Sequence, residues 1–308
     1  MSLHKEYSIT PEVFDPDCHE SAGVYCAFMT GLQSGLEGLK FLRCDKDQWL
    51  SEAGRNASGT MAGKAILAHL IKSKRLLHDA HSRTSHDWVS HFEASHKEHP
   101  MSGLLIDELS DDSAAQTLPH TRVSQMTPVS PAWWFDGVVS DRINCSAYAI
   151  SACFRTLLRN AREIHLIDPY FDPRRQGYAP VFKALYEEIS LNRHQPSVYI
   201  HSSDRKLREF DNSDRNWKEH ALQKFKLMRP KFPPSRIRLS LCIWYMTDFH
   251  DRYFLTDLGG CEIGRGFVEL NNKKTTVTAL SEKTRIGILR DFFPSRNANP
   301  QVHEMFEI

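Results

Sequence analysis

The sequence lacks the features that would place it in a membrane or in a secreted, disulfide-rich class. No apolar run approaches the roughly 18–20 residues that a membrane-spanning helix needs. The first six residues, Met-Ser-Leu-His-Lys-Glu, contain no apolar segment of the kind found in signal peptides. These absences predict a cytoplasmic protein that does not use a membrane.

Cysteine and glycine are arranged in ways that exclude further classes. The seven cysteines are odd in number, scattered and without a C-x-x-C pair, which argues against a disulfide framework and against a zinc module. The glycine-rich run from Gly31 to Gly38 is not followed by Gly-Lys-Ser/Thr, so a phosphate-binding P-loop is excluded. We therefore expect reduced thiols and no cofactor.

The remaining composition is that of a globular protein with a core, but its charge is unevenly distributed. Hydrophobic residues make up 41% of the 308 residues and charged residues 25%. Residues 1–131 carry 12 basic and 17 acidic side chains, a net −5, whereas residues 132–308 carry 27 and 21, a net +6. A basic half suits a polyanionic partner such as nucleic acid.

Hydrophobic periodicity predicts an α/β fold for residues 132–308. The predicted elements, in order, are a helix over Cys145–Ala161, a strand over Glu163–Asp168, a helix around Val181–Ile189, a strand over Ser197–His201, a helix around Trp217–Met228, strands over Ile237–Tyr245, Phe249–Leu255 and Thr275–Leu280, and a last helix capped by Ser281. Alternating helices and strands indicate a mixed sheet flanked by helices.

The amino-terminal third is harder to interpret. Apolar spacing predicts a helix from Thr60 to Ala80, and the segment Val24–Met29 fits either a strand or a helix. We expect residues 1–109 to form a mostly helical or α+β domain. The proline-containing polar segment 110–131 is the predicted linker.

One short pattern carries most of the functional information. His250, Arg252, Asp257 and Gly264 have the spacing H-x-R-x4-D-x6-G. Random placement of these residue types would produce the pattern fewer than about 0.01 times in a chain of this composition. On a strand, His250 and Arg252 would share a face, which would place an imidazole nucleophile beside a guanidinium that holds phosphate oxygens. Asp257 could fix a histidine tautomer. The alternative is a hairpin whose His–Arg pair is a solvated face.

This spacing resembles the signature of the phospholipase D (HKD) superfamily, H-x-K-x4-D-x6-G-S-x-N, with Arg252 where lysine is usual. The resemblance covers about residues 132–308. It implies a phospholipase D-like mixed sheet and a metal-independent phosphodiesterase in which His250 forms a phosphohistidine or acts as the acid, Arg252 clamps phosphate and Asp257 orients a histidine. The serine and asparagine of the signature are replaced by Arg265 and Phe267; Arg265 could add a phosphate contact.

The resemblance also implies an assembly, because the full site needs two motifs and this chain has one. We expect a homodimer with the site on the two-fold axis. A nuclease acting on DNA or RNA, of the kind tied to bacterial restriction or antiphage defence, is the leading interpretation, with the amino-terminal domain binding a protein partner. The alternative is an inactive phospholipase D-like module that binds a phosphate-bearing ligand or a protein.

Other polar residues are weaker candidates. Asp168 and Tyr170 follow one predicted strand and His201 ends the next, and α/β folds bind ligands at such strand ends. We therefore include these three, with Gly264 and Arg265, as predicted substrate-binding residues. The histidine-rich segment 78–99 is a third possibility, a metal site, although its steps of five residues do not share one helical face.

Overall fold

The computed structural model describes residues 3–37, 40–79, 87–107, 110–125, 140–192, 194–209, 215–228, 237–245, 250–292 and 303–307. The chain divides into two compact units. The amino-terminal unit comprises His4–Val138, and the carboxy-terminal unit comprises Val139–Ile308 together with Met1–Leu3. Both are α/β structures, which confirms the fold class that was expected for residues 132–308.

The amino-terminal unit is built on a parallel sheet. Its strands are β1 (Lys5–Ile9), β2 (Lys40–Cys44), β3 (Leu76–His78), β4 (Gly103–Ile106) and β5 (His120–Arg122), and its helices are α1 (Ala22–Glu37), α2 (Lys46–Asn56), α3 (Met61–Lys72) and α4 (Trp88–Glu98). The spatial order β3-β2-β1-β4-β5 is parallel throughout. This is the strand order of the doubly wound nucleotide-binding sheets.

Three predictions for this region are wrong, and one of them is the helix from Thr60 to Ala80, because α3 ends at Lys72 and Leu76–His78 form β3. The unit is built on a parallel sheet with helices, so it is not a mostly helical or α+β domain. Its strands were missed because they are short, with apolar pairs such as Phe41-Leu42 and Leu76-Leu77 that show no period of two. The predicted linker is also wrong for residues 110–125, since β5 lies within it and pairs with β4. Residues 126–131 lie outside the described residues.

The carboxy-terminal unit contains a mixed sheet. Its strands are β6 (Ser140–Asn144), β7 (Glu163–Ile167), β8 (Ser197–Ser203), β9 (Arg238–Trp244), β10 (Tyr253–Thr256), β11 (Gly260–Ile263), β12 (Lys274–Ala279) and β13 (His303–Glu307). Its helices are α5 (Ala147–Asn160), α6 (Tyr178–Ser190), α7 (Asp204–Glu209), α8 (Trp217–Met228) and α9 (Glu282–Phe292). The order is β13-β9-β8-β7-β10-β11-β12-β6, with β7, β8 and β9 parallel and the other neighbours antiparallel.

Helices cover both faces of this sheet. Successive strand residues point to opposite sides, so each strand contributes side chains to both layers. On one face, Phe154 of α5 stacks on Phe254 of β10 with ring centroids 4.2 Å apart. On the other, Leu255 and Trp244 pack with Phe292 of α9. The elements predicted from periodicity are confirmed here to within a few residues, and Ser281 accepts a hydrogen bond from Thr284 N as a cap.

The motif strand is shorter than predicted. β10 begins at Tyr253, so His250 and Arg252 precede it and do not share a strand face; Phe249 lies outside the described residues. In the part of the chain that the structure describes, no helix is both long and apolar enough to span a bilayer.

Candidate functional site

Antiparallel pairing of β7 and β10 brings Asp168 next to Arg252. Tyr253 is opposite Ile167 and Thr256 is opposite Ile164. Asp168 directly follows β7 and Arg252 directly precedes β10. Two residues 84 positions apart in the sequence therefore meet at one end of the paired strands.

Arg252 is held by three contacts. Its Nη1 donates to the carbonyl of Gly264 at 2.8 Å, its Nε lies 3.5 Å from Oδ1 of Asp168, and its guanidinium carbon lies 4.5 Å from the ring centroid of Tyr170. The hydrogen bond and the ion pair act on different sides of the planar group, the aromatic ring lies against its face, and Nε itself makes no hydrogen bond to a described residue. The side chain remains 24% exposed, so it reaches solvent while its orientation is constrained.

Asp168 is an interior carboxylate. It accepts hydrogen bonds from the backbone N–H of Tyr170 at 3.0 Å and of Phe267 at 3.3 Å, and from the Tyr178 hydroxyl at 3.4 Å. Burial raises its pKa to about 6, while Arg252 and these hydrogen bonds oppose the rise. Asp168 is thus ionised at neutral pH and paired with Arg252.

Gly266 makes this close packing possible. Its φ of +76° lies in the left-handed region, and a Cβ there would fall 2.2 Å from Oδ2 of Asp168 and 2.8 Å from Cδ of Arg252. No other residue type fits both the backbone conformation and the available space. The motif residue Gly264 does not have this steric requirement, because a Cβ there would lie 3.5 Å from its nearest atom, an ordinary contact.

A basic cleft of about 570 Å³ lies beside Arg252. Its lining residues are Arg142, Arg252, Gly264, Arg265, Leu270, Lys274, Thr275 and Thr276. Four of these eight are cationic and none is acidic. Such a cleft attracts anions, and guanidinium groups bind phosphate oxygens well.

Local hydrogen bonds shape the wall of the cleft formed by β11 and β12. Gly264 N donates to Thr276 O at 3.0 Å, and Arg265 N donates to the Thr275 hydroxyl at 2.9 Å. Nε of Arg265 donates to Lys274 O at 3.0 Å. Arg265 is therefore tied along the backbone of β12 with its remaining donors at an exposed surface.

The structure does not bring all motif residues together. His250 is exposed two residues before Arg252. Oδ1 of Asp257, at the opposite end of β10, accepts from the backbone N–H groups of Arg162 at 2.9 Å and Glu163 at 3.4 Å. The intervening strand is about 13 Å long, at roughly 3.3 Å per residue. Asp257 therefore anchors the start of β7 and does not orient a histidine at this end.

His201 is not in the cleft, contrary to the prediction. It is fully buried between the sheet and Phe292 of α9. The Trp244 Nε1–H donates to its Nδ1 at 2.9 Å, which places the His201 proton on Nε2. That nitrogen then donates to Nδ1 of His165 at 3.0 Å. Burial lowers the pKa of His165 to about 3, so His165 is uncharged at neutral pH.

The histidine-rich segment does not assemble a metal site in the described residues, among which no cluster of three or more metal-ligating side chains occurs. His91 is buried with its Nε2 at 3.3 Å from Oδ2 of Asp79, and Nδ1 of His96 accepts from Met101 N at 3.0 Å. His81 and His86 lie outside the described residues.

The amino-terminal unit closes its own strand-end crevice. The 3-10 helix Pro11–Phe14 follows β1 at the point where the strand order reverses, and it contacts α2 and β4. Phe14 packs edge-on against Trp49 at 5.5 Å, and both are fully buried. Apolar side chains therefore occupy the place where doubly wound sheets bind ligands.

Several residues around the site were missed from the sequence alone. Arg142 lies on the edge strand β6, which was not predicted, and Tyr178 and Gly266 carry no motif. Lys274 belongs to the basic pair Lys273-Lys274, a feature that is visible in the sequence. Arg174, from the basic pair Arg174-Arg175, is instead ion-paired with buried Asp172 at 2.8 Å.

Comparison with known proteins adds no assignment: no family model matches the sequence, and no curated protein matches it.

Proposed function

We propose that the carboxy-terminal unit is a phospholipase D-like module that binds a phosphate-bearing anion in the basic cleft. The observation that carries the proposal is the grouping of Arg142, Arg252, Arg265 and Lys274 around one cleft that has no carboxylate among its described lining residues. Such an arrangement lowers the free energy of a bound anion and disfavours cations. Nucleic acid is the proposed ligand, because a chain of phosphates can contact several of these cations at once.

The resemblance to the phospholipase D superfamily supports this proposal through Arg252 and Gly264, which are both motif residues and cleft residues. The departure at Arg252 is compatible with binding, because a guanidinium keeps the charge of lysine and adds planar donors. Arg265, at the motif's serine position, contributes a second guanidinium. The binding role does not depend on Asp257.

A second candidate is a metal-independent phosphodiesterase, most readily a nuclease. It is favoured by exposed His250, which stands two residues before Arg252 in the motif order. In this mechanism His250 attacks phosphorus, the P–O bond to the leaving group breaks, and a second histidine protonates the departing oxygen. That second histidine would come from a partner copy in a homodimer, since the chain carries one motif.

Two measurements on one preparation separate these candidates. Fluorescence anisotropy with labelled single-stranded DNA, RNA and duplex DNA measures binding, and gel assays in EDTA measure cleavage. The binding module predicts affinity that falls with Arg252→Gln and no cleavage by wild type. The phosphodiesterase predicts cleavage in EDTA that is abolished by His250→Ala. Absence of both binding and cleavage would refute the two candidates together.

A further inference from the structure

Asp168 is a deeply buried ionisable group beside the cleft. It is 1% exposed and is not among the residues that line the cleft. Its contacts are with the backbone of Tyr170 and Phe267, the Tyr178 hydroxyl and the Arg252 guanidinium. A ligand in the cleft therefore meets Arg252 and not the carboxylate behind it.

The contacts of Arg252 leave a defined part of its guanidinium for a ligand. Nη1 donates to Gly264 O, and Nε is ion-paired with Oδ1 of Asp168 at 3.5 Å without a hydrogen bond. Among the described residues, none accepts a hydrogen bond from Nη2. The Tyr170 ring, 4.5 Å from the guanidinium carbon, restricts rotation of the plane. The group is thus oriented before any ligand arrives.

We propose that Asp168 is a positioning residue for anion binding, which acts by holding the Arg252 guanidinium in the orientation that presents Nη2 to the cleft. The inference rests on the proposed function of the cleft. It replaces the substrate-binding role predicted for Asp168 from the sequence, and it makes Gly266 a required part of the same assembly, because any side chain there would displace both partners.

The physical basis is preorganisation. A free arginine side chain loses much of its rotamer freedom when it binds a phosphate, and that loss weakens binding. Asp168 and Gly264 O restrict the side chain in the unbound protein, so less freedom is lost on binding. The negative charge of Asp168 opposes anion binding, but it lies behind the guanidinium and is neutralised by it. We expect the loss of orientation to be the larger effect.

A double-mutant cycle tests the inference. Affinity for a fluorescein-labelled 12-nucleotide single-stranded DNA is measured by anisotropy at pH 7.5 for wild type, Asp168→Asn, Arg252→Gln and the double variant. We expect Arg252→Gln and Asp168→Asn each to weaken binding by about 10-fold, the size of one charge-assisted hydrogen bond. Because Asp168 acts through Arg252, Asp168→Asn should cause no further loss in the Arg252→Gln background.

Two results of this cycle would overturn the inference. If Asp168→Asn weakens binding equally in both backgrounds, its role is a general structural one. If it leaves affinity unchanged or raises it, orientation of Arg252 by Asp168 does not matter. Failure of the proposed function looks different, because wild type would then bind the oligonucleotide no better than a variant with Arg265→Gln and Lys274→Gln.

A pH profile provides the same test without altering Asp168, should the Asn variant fail to fold. A phosphodiester probe keeps its charge between pH 5 and 8, whereas Asp168 has a pKa of about 6. Among the described residues, the charged or titratable side chains that face Asp168 are Arg252 and Tyr178. We expect wild-type affinity to fall below about pH 6 and Arg252→Gln to lack this step. A step of equal size in both proteins overturns the inference.

Discussion

Replacement of Gly266 by alanine tests the geometry of the site at one atom. The new Cβ would lie 2.2 Å from Oδ2 of Asp168 and 2.8 Å from Cδ of Arg252, at a backbone φ of +76°. Left-handed strain costs about 1 kcal/mol for a residue with a Cβ. Displacement of packed neighbours adds about 1–3 kcal/mol. We therefore expect Gly266→Ala to lower the free energy of unfolding by about 2–4 kcal/mol.

Urea denaturation followed by tryptophan fluorescence measures this loss, and two other glycines provide matched controls. Gly264→Ala should be nearly neutral, because its new Cβ meets only ordinary contacts at 3.5 Å or more. Gly287→Ala, within helix α9 and with no atom within 4 Å, should gain up to about 1 kcal/mol from helix propensity. The reasoning is refuted if Gly266→Ala unfolds at the same urea concentration as Gly264→Ala.

Three further predictions concern Asp257, the buried histidines and pH. Asp257→Ala should lower the free energy of unfolding by about 1 kcal/mol in urea denaturation while leaving anion affinity in the anisotropy assay unchanged; a loss of affinity would restore its predicted site role. His201→Ala should cost about 2–4 kcal/mol in the same denaturation experiment, because it leaves a cavity and removes the partners of Trp244 and His165, and a cost below about 0.5 kcal/mol would contradict the buried chain. His165 has a pKa lowered to about 3, so its stabilising effect is present above pH 6.5 and is lost as pH falls towards 3, at about 1.4 kcal/mol per pH unit. Protonation of Asp168 changes stability in the opposite direction below about pH 6, and His165→Phe keeps that contribution. The free energy of unfolding of wild type relative to His165→Phe should therefore fall by about 2 kcal/mol from pH 7 to pH 5 if His165 titrates as described.

The carboxy-terminal fold was largely predictable because its signals are local. The apolar stripe that includes Ile150, Phe154 and Leu157 defines α5, and all three are fully buried. The strands β7 and β9 carry several buried apolar residues in short runs bounded by polar segments. In contrast, β5 is the polar tripeptide His120–Arg122, which becomes a strand only by pairing with β4. No local pattern predicts such a pairing.

The site was predictable in part, and strand parity explains one error. His201 is aligned with Ile167 on the adjacent strand, whereas Asp168 is one residue further and points to the opposite face. The two candidates therefore could not share one site. The pairing of β6 with β12, which is long-range in sequence, brings Arg142 close to Lys274. The pairing of β12 with β11 and of β11 with β10 then brings both near Arg252.

The spacing of the motif indicated residues that matter without indicating how each one matters. Arg252 and Gly264 do meet, through a hydrogen bond of 2.8 Å. Asp257 is separated from them because β10, Tyr253–Thr256, lies between Arg252 and Asp257. Sequence spacing alone does not distinguish a residue at the near end of a strand from one at the far end.

The central claim is that the basic cleft binds a phosphate-bearing anion, and the salt dependence of oligonucleotide binding tests it most directly. Affinity for labelled single-stranded DNA is measured from about 50 to 200 mM salt for wild type, for Arg265→Gln with Lys274→Gln, and for a charge-matched control, Lys283→Gln with Arg290→Gln on α9. Both control residues are exposed and outside the cleft. We predict that the cleft variant binds more weakly and with a shallower salt slope, while the control variant matches wild type. Equal effects of the two pairs, or no measurable binding by wild type, would contradict the claim.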